Sequence, residues 1–341
     1  MQLEEKYKKL ALWLICGLLI FRMVGDGVLG LLGNALATPE AVTLLLYLQT
    51  GRVIRPAAPS FTEENTEPTD VTLPQETVLY HPSAEGILAV FAPEDASLVK
   101  VNSVCGYDAD VEDYLSQTIS WNLKQDAPTV LIVHSHGSES YTKKENYQES
   151  TPYRTHNIGY NVVSIGDRLV QVLEMGGVHV IHDRNMHDVP SYNNSYNNSR
   201  QSVAELLKKY PTIRLVLDIH RDAVENSSGE QMRFATSVDG KSVAQLMLVV
   251  GTDASGLNHP DWPENMSLAV KLHAQLEKNC PGICRPISFR SQRFNQDLSP
   301  GALIVEVGAA GNTRQEALYA VEQLGQAILD MTAGATMENE P

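Results

Sequence analysis

An α/β fold, with an open, twisted and mostly parallel sheet flanked by helices, is predicted by three observations. Three apolar runs, Val130-Leu-Ile-Val133, Leu215-Val-Leu-Asp-Ile-His220 and Ala302-Leu-Ile-Val-Glu-Val307, each deliver an ionisable residue at or near the end. Segments with apolar residues at helical spacing alternate with these runs, as βαβ units require. Glycine or proline punctuates the boundaries between them. In open sheets of this kind ligands gather beyond the carboxyl ends of the strands, so the ionisable ends are where chemistry is expected.

Taken in order, the elements read as follows. Residues 76–127 alternate short apolar runs (Val78-Leu-Tyr80, Ile87-Leu-Ala-Val-Phe91, Leu98–Val101) with turn residues, which predicts a small strand-rich lead-in. The main domain is placed at residues 128–335. After the strand at Val130, Val162, Ile165, Leu169 and Leu173 recur at helical spacing, and Gly176-Gly177 closes that helix before the strand Val178-His-Val-Ile-His182. A second helix near Ser202–Tyr210 ends at Pro211 and feeds the strand to His220. Leu246–Val250 is continuously apolar, the pattern of a strand buried on both faces. Leu268, Ala269, Leu272 and Leu276 mark another helix, and Thr313-Arg-Gln-Glu316 is a capping box that opens the last.

The N-terminus differs in kind. Basic residues in Glu4-Glu-Lys-Tyr-Lys-Lys9 precede the apolar run Leu10–Phe21, and apolar character resumes from Gly27 to Ala37 around Arg22 and Asp26. A full span wants about 20 apolar residues, and each charge costs about 3 kcal/mol at the bilayer centre. Residues 1–37 are read as an imperfect, uncleaved membrane anchor, with two alternatives: a signal peptide cut after Ala35-Leu-Ala37 and an amphipathic helix lying on the membrane. Lysines before the span place the body of the chain outside the cytoplasm. Residues 38–75, rich in Pro, Thr and Glu from Gly51 onward, read as a solvated linker or stalk.

Composition excludes other classes. The chain has 341 residues, 43% of them hydrophobic, enough for a core of ordinary size. A formal net charge of −15, with no Lys/Arg-rich run after the first ten residues, argues against nucleic acid as a partner. Four cysteines are too few for a disulfide scaffold, and only Cys280 and Cys284 lie close together, as a local disulfide, half a metal site or two ordinary thiols.

The strand ends point to a metal. Catalytic zinc takes three protein ligands from His and carboxylate and keeps a fourth position for water. His136 and Glu139 leave the first strand three residues apart, where a turn brings both to one centre, and His220 arrives from the second. His134 competes with His136, as ligand or as a supporting residue on the same face. Asp218 is the carboxylate that would orient a ligand His; the plainer reading is a loop salt-bridge cluster of Asp218, Arg221 and Asp222. Glu306 sits inside Leu303-Ile-Val-Glu-Val-Gly308, where burial without a partner is costly, so a catalytic role beside a metal explains it better. Arg221, Asn295 and Gln296 are candidates for gripping peptide or sugar, against the plainer roles of ion pairing and turn capping.

From about Val130 to Ala327 the chain resembles the stage II sporulation protein P family of cell-wall hydrolases, related to zinc N-acetylmuramoyl-L-alanine amidases. The motifs that carry the resemblance are His134-Ser-His-Gly-Ser-Glu-Ser-Tyr141, Asp218-Ile-His-Arg-Asp222, Phe294-Asn-Gln-Asp-Leu298 and Leu303-Ile-Val-Glu-Val-Gly308 with Asn312-Thr313. The resemblance implies His136 and His220 as zinc ligands and Glu306 as the catalytic carboxylate. It further implies peptidoglycan as substrate, work during spore engulfment, a membrane tether, and the stage II sporulation proteins D and M as partners. One departure stands out: the related amidases take the middle ligand, a Glu, from the start of the helix after the first His. Here His156-Asn-Ile-Gly-Tyr-Asn-Val162 has no carboxylate, which leaves Glu139 as the middle ligand. A zinc peptidase acting on stem peptides would use the same constellation, and a tethered wall-binding protein without activity is the remaining alternative.

Overall fold

The computed structural model describes residues 89–142 and 153–333. The anchor and stalk expected over residues 1–75 lie outside them, and no helix among the described residues is long and apolar enough to cross a membrane. The elements, in order, are β1 (Val101–Ser103), α1 (Val111–Ser116), β2 (Val130–Val133), α2 (Val162–Met175), β3 (Val180–His182), α3 (Ser195–Lys209), β4 (Leu215–Asp222), β5 (Ala235–Val238), β6 (Lys241–Ala244), β7 (Leu246–Val250), α4 (Trp262–Asn279), β8 (Ile287–Phe289), β9 (Ala302–Ala309) and α5 (Arg314–Ala333). Of the lead-in expected before residue 128, the described part contributes a 3-10 helix at Pro93–Leu98, one strand, β1, and the short helix α1.

Seven strands form one sheet in the order β1-β8-β7-β9-β4-β2-β3, and β5 and β6 form a separate antiparallel hairpin. Every neighbouring pair in the large sheet is parallel except β7 and β9. The apolar run of β7 announces burial but not direction, because a strand covered on both faces has the same composition whichever way it runs. The large sheet is therefore mostly parallel, with one antiparallel seam.

Side-chain alternation along β2 divides the core. Val130 and Ile132 join the cluster that holds Leu169 and Leu173 of α2, Leu272 and Leu276 of α4 and Leu324 and Ile328 of α5. Leu131 and Val133 point to the other face and pack with Val203 of α3, Ile213 and Val216. The two-residue period of a strand thus serves two layers of helix. Each buried Leu or Ile contributes about 1.5–3 kcal/mol relative to exposure.

Helix ends follow local chemistry. Asn161 caps α2 by accepting from the Val163 N–H. Leu173 O accepts from both Gly176 and Val178, and Gly177 takes φ 81°. That C-terminal wrap delays the strand, so β3 begins at Val180, two residues later than the apolar pattern suggests. The capping box of α5 forms as expected, with Thr313 N–H donating to Glu316 and Glu316 N–H to Thr313 Oγ1. α3 starts at Ser195, seven residues earlier than expected, because its first turns are Asn and Ser, residues of weak helix propensity that conceal the helix in the sequence.

Gly301 marks the tightest approach in the sheet. A Cβ there would lie 1.9 Å from Arg214 O and 2.7 Å from the Trp121 ring, while Gly301 O accepts from Val216 N–H at 2.9 Å and fixes the entry of β9 beside β4. Gly301→Ala is expected to destabilise the protein by about 1–3 kcal/mol or more, read as a lowered midpoint in urea unfolding. An unchanged midpoint would show that β9 can shift without penalty.

Candidate active site

β2, β4 and β9 are neighbours in the sheet and end at the same edge. The register pairs His220 with Glu306 directly, and Val133 with Asp218. Beyond β2 the chain turns tightly, with Glu139 N–H donating to His136 O at 3.1 Å. This turn converts a three-residue separation into proximity, so His136, Glu139 and His220 meet, all buried.

The distances define the centre. The His136 and His220 rings lie 5.4 Å apart, edge to face at 83°. His220 Nδ1 is 3.4 Å from Glu139 Oε2, and His220 Nε2 is 2.9 Å from Asp218 Oδ1, off the line of a good hydrogen bond. His136 Nδ1 and Glu306 Oε2 are buried without a hydrogen-bond partner. A lone polar atom in such a place costs about 1–3 kcal/mol, and two come together here.

Electrostatics sort the groups by role. Burial, aided by His220, lowers the pKa of His136 to about 4, which leaves a neutral ring with a free lone pair at neutral pH. Burial opposes ionisation of Glu139, but Arg221 and His220 outweigh it and bring its pKa down to about 2. For His220, burial opposes the charge, yet Asp218 and Glu139 raise its pKa well above the ordinary value. Burial dominates at Glu306, and Glu139 and Asp222 add to it, pushing its pKa up to about 8 against the pull of His220. Two adjacent carboxyls thus have their pKa values driven apart, the pattern that separates a ligand from a proton acceptor.

The other expected residues take definite places. His134 is fully buried and faces away from this centre: its Nδ1 bonds Ile219 O at 2.9 Å and its Nε2 lies 2.8 Å from His182 Nε2. Asp218 lies beside His220, with Ser135 N–H donating to it at 2.8 Å. Arg221 is buried and committed to the β2 turn, donating to Ser140 O at 3.0 Å and Tyr153 O at 2.8 Å, with Glu139 at 3.7 Å. Its ion pair is with Glu139 rather than with Asp218 or Asp222, and Asp222 pairs with Arg285 at 2.7 Å. Asn295 donates to Tyr196 O, and Gln296 bridges Gly251 N–H and Val249 O. These amides bond the protein's own backbone.

Three residues that sequence reasoning missed line the centre. Tyr192 stacks on His136 with centroids 4.2 Å apart, Tyr196 meets the same ring edge-on at 5.5 Å, and Arg154 lies 4.4 Å from the Tyr192 centroid while pairing with Asp188 at 3.0 Å. A signal was present: Tyr-Asn-Asn-Ser occurs twice in succession from Tyr192 to Ser199, placing two tyrosines four residues apart, the spacing that puts side chains on one helix face.

A zinc ion is what this donor set suggests, and the residues can be tested for fit. Among the described residues no group of three or more His, Cys, Asp or Glu side chains is gathered as a ready metal site. Two imidazoles and a carboxylate are nevertheless the donor types of hydrolytic zinc, and two ligands on a tetrahedral ion with bonds of about 2.0–2.1 Å are separated by about 3.4 Å. The 3.4 Å between His220 Nδ1 and Glu139 Oε2 matches that edge. Two electron-pair donors at this range call for a positive charge between them, a proton or a cation. The residues fit in type, in burial and in this spacing, with His136 Nδ1 as the unpartnered third donor.

The site and fold are those of an α/β protein with a His/Glu centre at its strand ends. The chain belongs to the stage II sporulation protein P family, whose profile matches residues 62–329. It is 28% identical over 236 residues to "Stage II sporulation protein P" of Bacillus subtilis (strain 168), an alignment that covers 63% of this chain and 56% of that protein. The matched region therefore spans little more than half of the relative's length. Among solved structures it is similar to the N-acetylmuramoyl-L-alanine amidase from Clostridium difficile 630, at 14% identity and TM-score 0.38, over 63% of this chain and 100% of that one. It is also similar to the CwlD amidase of Clostridioides difficile in complex with the GerS lipoprotein, at 14% identity and TM-score 0.37, over 60% of this chain and 95% of that one.

Proposed function

We propose that this chain is a zinc-dependent peptidoglycan hydrolase that cleaves the amide between N-acetylmuramic acid and the L-alanine of the stem peptide. The observation that carries the reading is the meeting of His136, Glu139 and His220 with Glu306, the direct register neighbour of His220. His136, Glu139 and His220 would hold the metal. Bound zinc supplies Lewis acidity towards water and towards an amide carbonyl. Glu306 takes a proton from the attacking water on its unpartnered Oε2 and passes it to the departing nitrogen, acting first as base and then as acid. In the metal-free site its pKa is raised to about 8, and a cation held beside it would lower that value and favour the ionised form that accepts a proton. Tyr192, about half exposed, and Arg154 form the rim through which substrate would enter.

Membership of the family supports a role in wall degradation during sporulation. In that setting the chain would act outside the cytoplasm on an N-terminal tether, alongside stage II sporulation proteins D and M. The test is incubation of the full chain with purified peptidoglycan, with and without a chelator and added zinc, and product identification by mass spectrometry. Chelator-sensitive release of intact stem peptides is expected. Shortened peptides would reassign the bond to one within the stem, and absence of products with zinc bound would overturn hydrolysis by this chain alone.

A further inference from the structure

Asp218 is held by the strand-end segment on both of its oxygens. Its Oδ1 accepts the Ser135 N–H at 2.8 Å, and its Oδ2 accepts the Ser135 hydroxyl. Ser135 Oγ lies 2.8 Å from Ser199 Oγ on α3, and Asn295 Nδ2 lies 3.2 Å from Ser199 Oγ. A carboxylate only accepts, and a hydroxyl has a single hydrogen. With the Ser135 hydrogen committed to Asp218, Ser199 has two acceptors in reach, Ser135 Oγ at 2.8 Å and Tyr196 O at 3.2 Å; the nearer one takes its hydrogen, since Tyr196 O already accepts from Asn295, and the oxygen of Ser199 receives the Asn295 N–H. The arrows therefore run one way, from Asn295 through Ser199 and Ser135 to Asp218, which faces His220 Nε2 at 2.9 Å.

Asn295 is poised for this by unusual backbone. Phe294 and Asn295 adopt φ of 52° and 61°, consecutive left-handed residues without a glycine. Such conformations persist where surrounding structure enforces them. Asn tolerates the left-handed region better than most residues, and its amide here also donates to Tyr196 O at 2.7 Å. The segment after β8 is thereby fastened to α3, and α3 to the strand end that carries His220.

We propose that Asn295, acting through Ser199, Ser135 and Asp218, is a positioning residue that fixes the His220 ring with Nε2 toward Asp218 and Nδ1 toward Glu139 Oε2, as the donor to zinc. The proposal rests on the zinc reading above for its purpose and on hydrogen-bond direction for its geometry. The Asn295 amide bonds Tyr196 O and Ser199 Oγ rather than His136, Glu139 or His220.

Two variants test it: Asn295→Gly, which removes the amide and suits a positive φ without strain, and Ser199→Ala, which cuts the chain in the middle. The first readout is the imidazole Nε2–H signal of His220 in histidine-labelled, metal-free protein, assigned with His220→Gln. The second is the zinc dissociation constant, and thermal midpoints are recorded beside both. The expected result is loss or displacement of that signal with zinc binding about tenfold weaker, the lower end of what outer partners of a ligand contribute. An unmoved signal in both variants overturns the proposal, whatever happens to the midpoint. Should Asn295→Gly fail to fold, Ser199→Ala decides alone. If the wild-type chain binds no zinc, the zinc reading fails separately, and the metal-free signal still decides whether Asn295 positions the ring.

Discussion

Glu306→Gln is expected to keep zinc at the wild-type stoichiometry and to lose about 100- to 10,000-fold in turnover, the range that a positioned acid–base group supplies. The isosteric amide fills the same space beside His220 but cannot accept the proton of water. The same variant carries a signed stability prediction for the metal-free protein. Burial holds the Glu306 carboxyl protonated up to about pH 8 in the folded state, whereas it ionises near the ordinary value once unfolded. Between those two pKa values the folded state binds the extra proton, so wild-type stability falls as pH rises through that window. Glutamine has no such slope. The variant should therefore gain thermal midpoint over wild type progressively from about pH 4.5 to about pH 8, seen by calorimetry in the presence of chelator. Full activity of Glu306→Gln would remove Glu306 from the reaction, and parallel pH–stability curves would show that its carboxyl is not protonated in the fold.

His220→Ala is expected to abolish zinc binding and activity together. The ring is the shared neighbour of Asp218 and Glu139, so its removal takes the imidazole from between two buried carboxyls, and Arg221 remains beside Glu139 alone. Breaking a buried pair in this way costs about 3–5 kcal/mol, and zinc at about 100 times its dissociation constant ordinarily adds about 2.7 kcal/mol of stability that the variant cannot recover. The measurement is the unfolding midpoint with and without zinc. Wild type should shift upward with metal, and His220→Ala should start lower and not shift. A zinc-dependent shift retained in the variant would mean that His220 is not a ligand.

Much of the frame was legible because it rests on period and on strand ends. The apolar runs of β2, β4 and β9 show burial on both faces, and the ionisable residues that interrupt them stand out against that background. The helix from Val162 was plain from its spacing, and the Thr313–Glu316 box from its capping chemistry. What stayed hidden depends on contacts distant in sequence. Arg221 could have paired with Asp218 or Asp222, both near it in the chain, but its guanidinium reaches across to Glu139 and the carbonyls of Ser140 and Tyr153. The outward turn of His134 toward His182, away from His136, follows from the packing of α2, where Gly166 leaves room for both rings. The early turns of α3 were masked by their Asn and Ser content, and with them the two tyrosines against His136. The seam between β7 and β9 has no signature in hydrophobicity at all.

That seam gives β9 a special position. It is the last strand along the chain yet the fourth of seven in the sheet, between β4 and β7. During synthesis a ribosome would release β1 to β8 before the strand that joins them, leaving two half-sheets with bare inner edges, the kind of surface that recruits unwanted strands. Insertion of β9 closes both edges and in the same event delivers Glu306 beside His220. A nascent or truncated chain thus lacks both a continuous sheet and the carboxylate, so the His/Glu centre would not be assembled until nearly all of the domain had been made.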